Sequence, residues 1–268
     1  MADSDWLALM IGNSRLHWAW FTGTTLQQAW DTPHFSSKLT THLIQHQLDF
    51  AACSADLIDK LPTVPAFLSQ IPAQLPLWLA SVVPDQIPLW QSYHQTQVIQ
   101  LDQIPLAGLY PTLGIDRALA LLGAATIYGL PSLVIDAGTA LTFTGTDATA
   151  QLIGGAILPG LRLQLRALAD YTAALPDLSE AQISLPQRWS TKTNDAIWSG
   201  VLYSLLAGIR DFVTAWQQQF PSGSIVLTGG DASLLIDLLR QQAPDLAAQI
   251  MINSQLIFWG IRQVASQI

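Results

Sequence analysis

Two stretches of the chain combine a continuous apolar run, a polar turn with a glycine, and a second run of alternating apolar and polar residues. They are LALMIGNSRLHWAWF at residues 7–21 and LVIDAGTALTFTGTD at residues 133–147. A continuous apolar run is typical of a buried strand, and period-two alternation is typical of a strand with one buried face. We therefore predict two β-hairpins whose turns contain Gly12 and Gly138.

The two predicted hairpins resemble each other, which indicates a duplication. When they are aligned on their turn glycines, Met10 lies opposite Asp136. Strand patterns alternate with helical patterns along the rest of the chain, and a strand with glycines, SIVLTGGDAS, precedes a further helix. This order predicts an α/β fold. We expect two related halves, residues 1–113 and 114–268, that face each other across a ligand cleft.

An apolar run at residues 118–135 has eighteen residues without a charge, the minimum length of a membrane span. Gly129 and Pro131 divide it into a piece long enough for a helix and a piece long enough for a strand. We therefore interpret the run as a buried helix followed by a buried strand, and we expect no association with a membrane.

The composition describes an acidic protein with few charges. Of its 268 residues, 50% are hydrophobic and 11% are charged, and the net charge is −8. So small a charged fraction favours a folded chain whose apolar surface is partly covered by a second copy, so we predict a homo-oligomer. No basic stripe is available for a polyanion, which argues against nucleic-acid binding. The single cysteine and the acidic N-terminus favour a cytoplasmic protein.

The glycine turns suggest phosphate binding. A residue without Cβ lets backbone N–H groups converge on an anion. One such turn is equally consistent with an ordinary hairpin, but two of them, followed by Thr-Gly-Gly before a helix, favour a phosphate site. The chain has neither GxxxxGK[ST] nor a GxGxxG after a strand. If a nucleotide binds, it therefore uses neither a P-loop nor a Rossmann turn.

Asp116 and Arg117 lie where the segment PTLGIDRALALLGAA begins an apolar helix. A carboxylate in a first helical turn is stabilised by the helix dipole, so these residues are consistent with simple helix stabilisation. They are also consistent with a catalytic base that has an arginine beside it. The sequence pattern leaves both interpretations open.

Six motifs occur in a fixed order: IGNSRLHW, LGIDRALALLGA, DAGTALTFT, GGAILPGLRLQLRAL, TNDAIWSG and VLTGGDA. Together they resemble the type III pantothenate kinases, which belong to the superfamily of acetate and sugar kinases, hexokinase and actin. The resemblance implies two actin-like (ribonuclease H-like) halves. It also implies ATP-dependent phosphorylation of pantothenate to 4'-phosphopantothenate, the first step of coenzyme A biosynthesis. The implied cofactors are Mg²⁺ and K⁺ or NH₄⁺, and the implied assembly is a homodimer.

The resemblance also assigns roles to residues. Asp116 matches the catalytic base, Asp136 the ligand of the monovalent cation, and Thr139 a contact to ATP. The first ATP-binding loop comprises Met10, Ile11, Gly12, Asn13, Ser14, Arg15, Leu16 and His17. The residues that match pantothenate contacts are Tyr110, Gly114, Ile115, Asp116, Arg117 and Thr193.

Met10 departs from the family pattern, because members usually have an aspartate at this position. One alternative is therefore a nucleotide-binding or regulatory protein that keeps the fold but has lost catalysis together with that carboxylate. Another is a different small-molecule kinase of the same superfamily. Asp116, Asp136 and Thr139 are all present and favour an enzyme.

Overall fold

The structure is a computed structural model that describes residues 4–53, 65–181 and 184–267. Its contacts divide the chain into two compact units. Unit 1 contains Met1–Pro105, Leu109–Gly123 and Ile257–Ile268, and unit 2 contains Leu106–Gly108 and Ala124–Leu256. The predicted division of the chain between residues 113 and 114 stays a prediction.

Unit 1 contains a sheet of five strands in the order β3-β2-β1-β4-β5. The first three strands are antiparallel, and β4 and β5 continue the sheet in parallel with β1. The strands are β1 (Asp5–Ile11), β2 (Leu16–Thr22), β3 (Thr25–Thr32), β4 (Leu77–Ser81) and β5 (Thr96–Val98).

Helices pack with this sheet. They are α1 (Ser37–Gln45), α2 (Ile87–Gln91), α3 (Ile115–Tyr128), which continues into unit 2, and α8 (Leu256–Ala265). Leu7, Leu9 and Trp18 belong to a core in which Trp18 stacks on Trp30. A side chain at Gly260 of α8 would collide with the backbone of Leu119. The two helices α3 and α8 therefore cross in direct backbone contact.

Unit 2 repeats this topology, with strands in the order β10-β9-β6-β7-β8. Again three strands are antiparallel and two extend the sheet in parallel. The strands are β6 (Ser132–Ala137), β7 (Ala140–Thr146), β8 (Leu152–Pro159), β9 (Ser224–Thr228) and β10 (Met251–Ile252). The helices are α4 (Leu161–Asp170), α5 (Thr193–Gln219), α6 (Ala232–Gln242) and α7 (Pro244–Ala247).

The matching strand orders confirm the predicted fold class, α/β with two related halves. Both predicted hairpins are present, as β1–β2 and β6–β7. The apolar run at residues 118–135 lies in α3 and β6, as predicted. Of the described helices, α5 alone is long and apolar enough to span a membrane by length and composition, and half of its most apolar stretch is buried. Its buried residues belong to the core of unit 2.

Candidate functional site

The first turn, residues 12–15, joins β1 to β2. It is closed by a hydrogen bond that the N–H of Gly12 donates to the carbonyl of Arg15, at 3.0 Å. The side chains of residues 13–15 are exposed, whereas those of Met10, Ile11 and Leu16 are buried. Only the backbone and the exposed side chains of this turn are therefore available to a ligand.

His17 lies beside the first turn in a row of three residues across the sheet. Met10 on β1 pairs with His17 on β2, and His17 pairs with Asp31 on β3. The Nδ1 atom of His17 lies 2.7 Å from Oδ1 of Asp31. Its Nε2 atom lies 3.3 Å from the position that a Cβ at Gly12 would take. Sequence reasoning included His17 in the ATP-binding loop but missed Asp31.

A second histidine supports the same turn. Nε2 of His34 donates a hydrogen bond to the carbonyl of Gly12 at 2.9 Å. Nδ1 of His34 lies 2.9 Å from the side-chain amide of Gln86, which donates to it. The two contacts together assign the tautomer with the proton on Nε2. Sequence reasoning missed His34 as well, because no local pattern links it to Gly12.

Met10 brings no metal ligand to the first turn. Its side chain is 1% exposed and carries no oxygen. Across residues 4–53, 65–181 and 184–267, no group of three or more His, Cys, Asp or Glu side chains is arranged to hold a metal ion. A divalent ion that accompanies a nucleotide would therefore depend on phosphate oxygens and on one or two protein carboxylates.

The second turn, residues 138–140, is tighter than the first. The N–H of Gly138 donates to the carbonyl of Ala140 at 3.1 Å, and the N–H of Gly160 donates to the carbonyl of Thr139 at 2.9 Å. A side chain at Gly160 would collide with the backbone of this turn. The start of α4 therefore packs directly on the turn that carries Thr139.

Asp136 lies in a narrow space beside the second turn. Gly229, in the Thr-Gly-Gly motif after β9, has a φ of +93°, and a side chain there would collide with the Asp136 carboxylate and the Ala137 carbonyl. The N–H of Asp231 donates to the carbonyl of Ala137 at 3.0 Å. The motif therefore packs against the end of β6, directly beside one carboxylate. A carboxylate oxygen is a donor that fits a hard cation.

Asp231 and Arg162 form an ion pair that ties α4 to the start of α6. Nε of Arg162 lies 3.3 Å from Oδ1 of Asp231. Burial raises the pKa of Asp231 above its ordinary value, while the charge of Arg162 acts in the opposite direction. Neither residue was among the predicted site residues.

Asp116 lies in the first turn of α3. Its Oδ1 accepts a hydrogen bond from the backbone N–H of Arg117 at 2.8 Å. Burial raises the pKa of Asp116, and the hydrogen bond and positive charge of Arg117 oppose that shift. A side chain at Gly114 would collide with the carboxylate, so the glycine makes room for it.

Arg117 is 8% exposed, and its Nη1 donates to the hydroxyl of Tyr110 at 3.3 Å. A cavity of about 280 Å³ in unit 1 is lined by Gly114 and Ile115, by apolar side chains, and by Ser81 and Gln100. Two of the residues predicted to bind substrate, Gly114 and Ile115, thus line this cavity. Thr193, which was also predicted to bind pantothenate, is exposed at the start of α5 in unit 2.

The sequence profile of one protein family, type III pantothenate kinase, matches residues 6–215. The chain belongs to the type III pantothenate kinase family. It is 47% identical to the type III pantothenate kinase of a Nostoc species, across 98% of this chain and 95% of that protein. It is 44% identical to the type III pantothenate kinase of a Synechocystis species, across 98% of this chain and 91% of that protein. Membership in this family makes the chain an ATP-dependent kinase.

The solved structure of a Baf family protein from Campylobacter jejuni shares the fold. It has a TM-score of 0.61 and 19% sequence identity, across 97% of this chain and 98% of that one. At this identity the likeness supports the fold alone, so the family assignment depends on the sequence matches.

Proposed function

We propose that the protein transfers the γ-phosphoryl group of ATP to the primary hydroxyl of pantothenate, giving 4'-phosphopantothenate in the first step of coenzyme A biosynthesis. The observation that carries this proposal is the family match, which includes both glycine turns and the Asp116 segment. The cavity beside Gly114 supports it, because it offers a small, mostly apolar space with Ser81 and Gln100 as polar groups.

Asp116 acts as the general base of this reaction. An aspartate ordinarily titrates near pH 4, whereas an alcohol is about as weak an acid as water, so complete removal of the alcohol proton before attack is unfavourable by about 16 kcal/mol. The carboxylate therefore accepts the proton as the new P–O bond forms. Its burial makes it a stronger base than an exposed aspartate. This timing agrees with the loose transition state of phosphoryl transfer.

Each turn can bind phosphate oxygens through its backbone N–H groups, and in the second turn Thr139 adds a side-chain hydroxyl. Mg²⁺, when bound with ATP, neutralises charge on the phosphate oxygens. The carboxylate of Asp136, which lies against the backbone of Gly229, would hold K⁺ or NH₄⁺ and so place a positive charge beside the second turn. Arg117, which donates a hydrogen bond to Tyr110, orients the substrate.

The protein works as a homodimer in the cytoplasm. β8 is the edge strand of its sheet, and Ile153 and Ile157 on it are 46% and 64% exposed. Exposed apolar side chains on an edge strand favour a protein partner. Light scattering on the purified protein tests this assembly directly: a mass near 58 kDa, twice the 29.1 kDa of the chain, supports it, and a mass of one chain contradicts it.

The reaction is tested by measuring ADP release from ATP, Mg²⁺ and K⁺ with and without pantothenate. Release that requires pantothenate, together with a phosphorylated product in the mass spectrum, supports the proposal. Release with a different alcohol instead identifies another small-molecule kinase. Binding of ATP without any turnover identifies the non-catalytic alternative, which the apolar Met10 favours.

A further inference from the structure

The segment at residues 31–34 contacts the β1–β2 hairpin through three side chains. Asp31 pairs with His17 at 2.7 Å, Thr32 accepts a hydrogen bond from Nε1 of Trp18 at 3.2 Å, and His34 donates to the carbonyl of Gly12 at 2.9 Å. These residues follow or end β3, outside every motif that the family resemblance uses. Their common target is the hairpin that carries the first turn.

We propose that Asp31 is a positioning residue for the nucleotide: it holds the His17 ring so that Nε2 faces the Gly12 turn and binds a phosphate oxygen there. This inference depends on the proposed function, because it takes the first turn as a phosphate site. Asp31 itself touches no ligand. It acts through Nδ1 of His17, from which its carboxylate accepts a hydrogen bond.

The hydrogen-bond chemistry of the ring follows from this arrangement. When Nδ1–H donates to Asp31, a neutral ring has only a lone pair at Nε2, which repels a phosphate oxygen. Donation to phosphate therefore requires both ring protons, so that the imidazolium lies between a carboxylate and a phosphate. The same row has no charge on β1, where Met10 lies. Arg15 in the turn and His34 against the Gly12 carbonyl are further ionisable groups beside it.

The position of the pair separates it from an ordinary surface ion pair. Asp237 and Arg240 are also 2.7 Å apart and, like His17 and Asp31, are exposed, but they are neighbours on one helix. Such pairs contribute little. His17 and Asp31 come from two strands, and the opposite ring edge lies against the turn glycine. Asp237 therefore provides a matched control, with the same bond length and the same change in charge.

The first experiment measures ATP binding by calorimetry for Asp31→Ala, Asp31→Asn and Asp237→Asn. Asp31→Ala should raise the Kd for ATP about tenfold, as loss of such supporting contacts does elsewhere, and leave kcat within about twofold. Asp31→Asn keeps an acceptor oxygen and should recover part of that loss, while Asp237→Asn should match the wild type. Wild-type binding by Asp31→Ala, or no recovery by Asp31→Asn, would overturn the proposal.

A second experiment uses His17→Lys, since a lysine keeps its charge without a carboxylate partner. In this background Asp31→Ala should have less than a third of its effect on the Kd. Equal effects of Asp31→Ala in both backgrounds would contradict a role through His17. Thermal melting of each variant shows whether it is folded.

The binding measurement also separates this inference from the proposed function. A wild type that binds ATP but does not phosphorylate pantothenate would overturn the function alone. A wild type that phosphorylates pantothenate, with an Asp31→Ala variant that binds ATP equally well, would overturn the inference alone.

Discussion

The two hairpins share their topology but place their carboxylates differently. In unit 1 the row beside the turn is Met10, His17 and Asp31 from the first, second and third strands. In unit 2 the corresponding row is Asp136, Thr142 and Ile157. In unit 2 the carboxylate thus lies on β6, the first strand of the hairpin. In unit 1 it lies on β3, the strand that pairs with the hairpin, next to the histidine on β2. By our two proposals, the duplicated topology provides a cation site in one copy and a cationic phosphate contact in the other.

Asp116 belongs to neither hairpin, so its removal tests whether either hairpin carboxylate can replace it. Asp116→Asn should lower kcat by at least about a hundredfold and leave the Kd for ATP nearly unchanged. Burial raises the pKa of Asp116. As the pH is lowered, wild-type kcat/KM should therefore begin to fall at a higher pH than it would for a base with the ordinary pKa of an aspartate, because protonation removes the base. Near-normal turnover of the variant in steady-state assays would assign the base elsewhere.

Asp136→Asn tests the carboxylate of the second hairpin. We expect a loss of kcat/KM of roughly 10- to 100-fold, because the monovalent cation loses its charged ligand, and the remaining rate should no longer distinguish K⁺ from Na⁺. Rates of the wild type and the variant in K⁺, NH₄⁺ and Na⁺ buffers measure this. Equal wild-type rates in all three would contradict a cation site at Asp136.

Gly229→Ala tests the space around Asp136. The new Cβ would collide with the carboxylate, and the φ of +93° adds strain of about 1–3 kcal/mol. We expect a lower melting temperature and about a tenfold loss of activity. Gly230→Ala is the control, because a Cβ there meets nothing within 4 Å. If both variants behave alike, the close approach of the motif to Asp136 has no functional consequence.

Met10→Asp makes the first hairpin resemble the second and should have the smallest effect on activity. A carboxylate beside His17 should lower the Mg²⁺ concentration for half-maximal rate about fivefold, or about 1 kcal/mol. It should also lower the melting temperature in EDTA, because it is buried without a cation. Met10→Leu keeps the volume and should change neither quantity. An unaltered Mg²⁺ dependence in Met10→Asp would show that the residue at position 10 has a structural role in β1 and no role in binding the metal.

Local patterns were sufficient to predict both hairpins, the helix that begins near Asp116 and the related halves, because periodicity and glycine turns act over a few residues. The contacts between distant segments could not be predicted in this way. β2 and β3 contain a register shift between Trp20 and Phe21, and this one residue brings His17 opposite Asp31 instead of Trp30. The approach of Gly229 to Asp136 likewise depends on the pairing of β6 with β9, far apart in sequence.

The crossing of α8 over α3 has a consequence for the order in which the protein is made. Residues 257–265 complete unit 1, and they are translated after all of unit 2. Domains generally fold as units while the chain emerges from the ribosome. Unit 1 therefore begins to form first but is completed only after unit 2 has been synthesised. The helix that carries Asp116 can make its contact between Leu119 and Gly260 only once α8 has been synthesised.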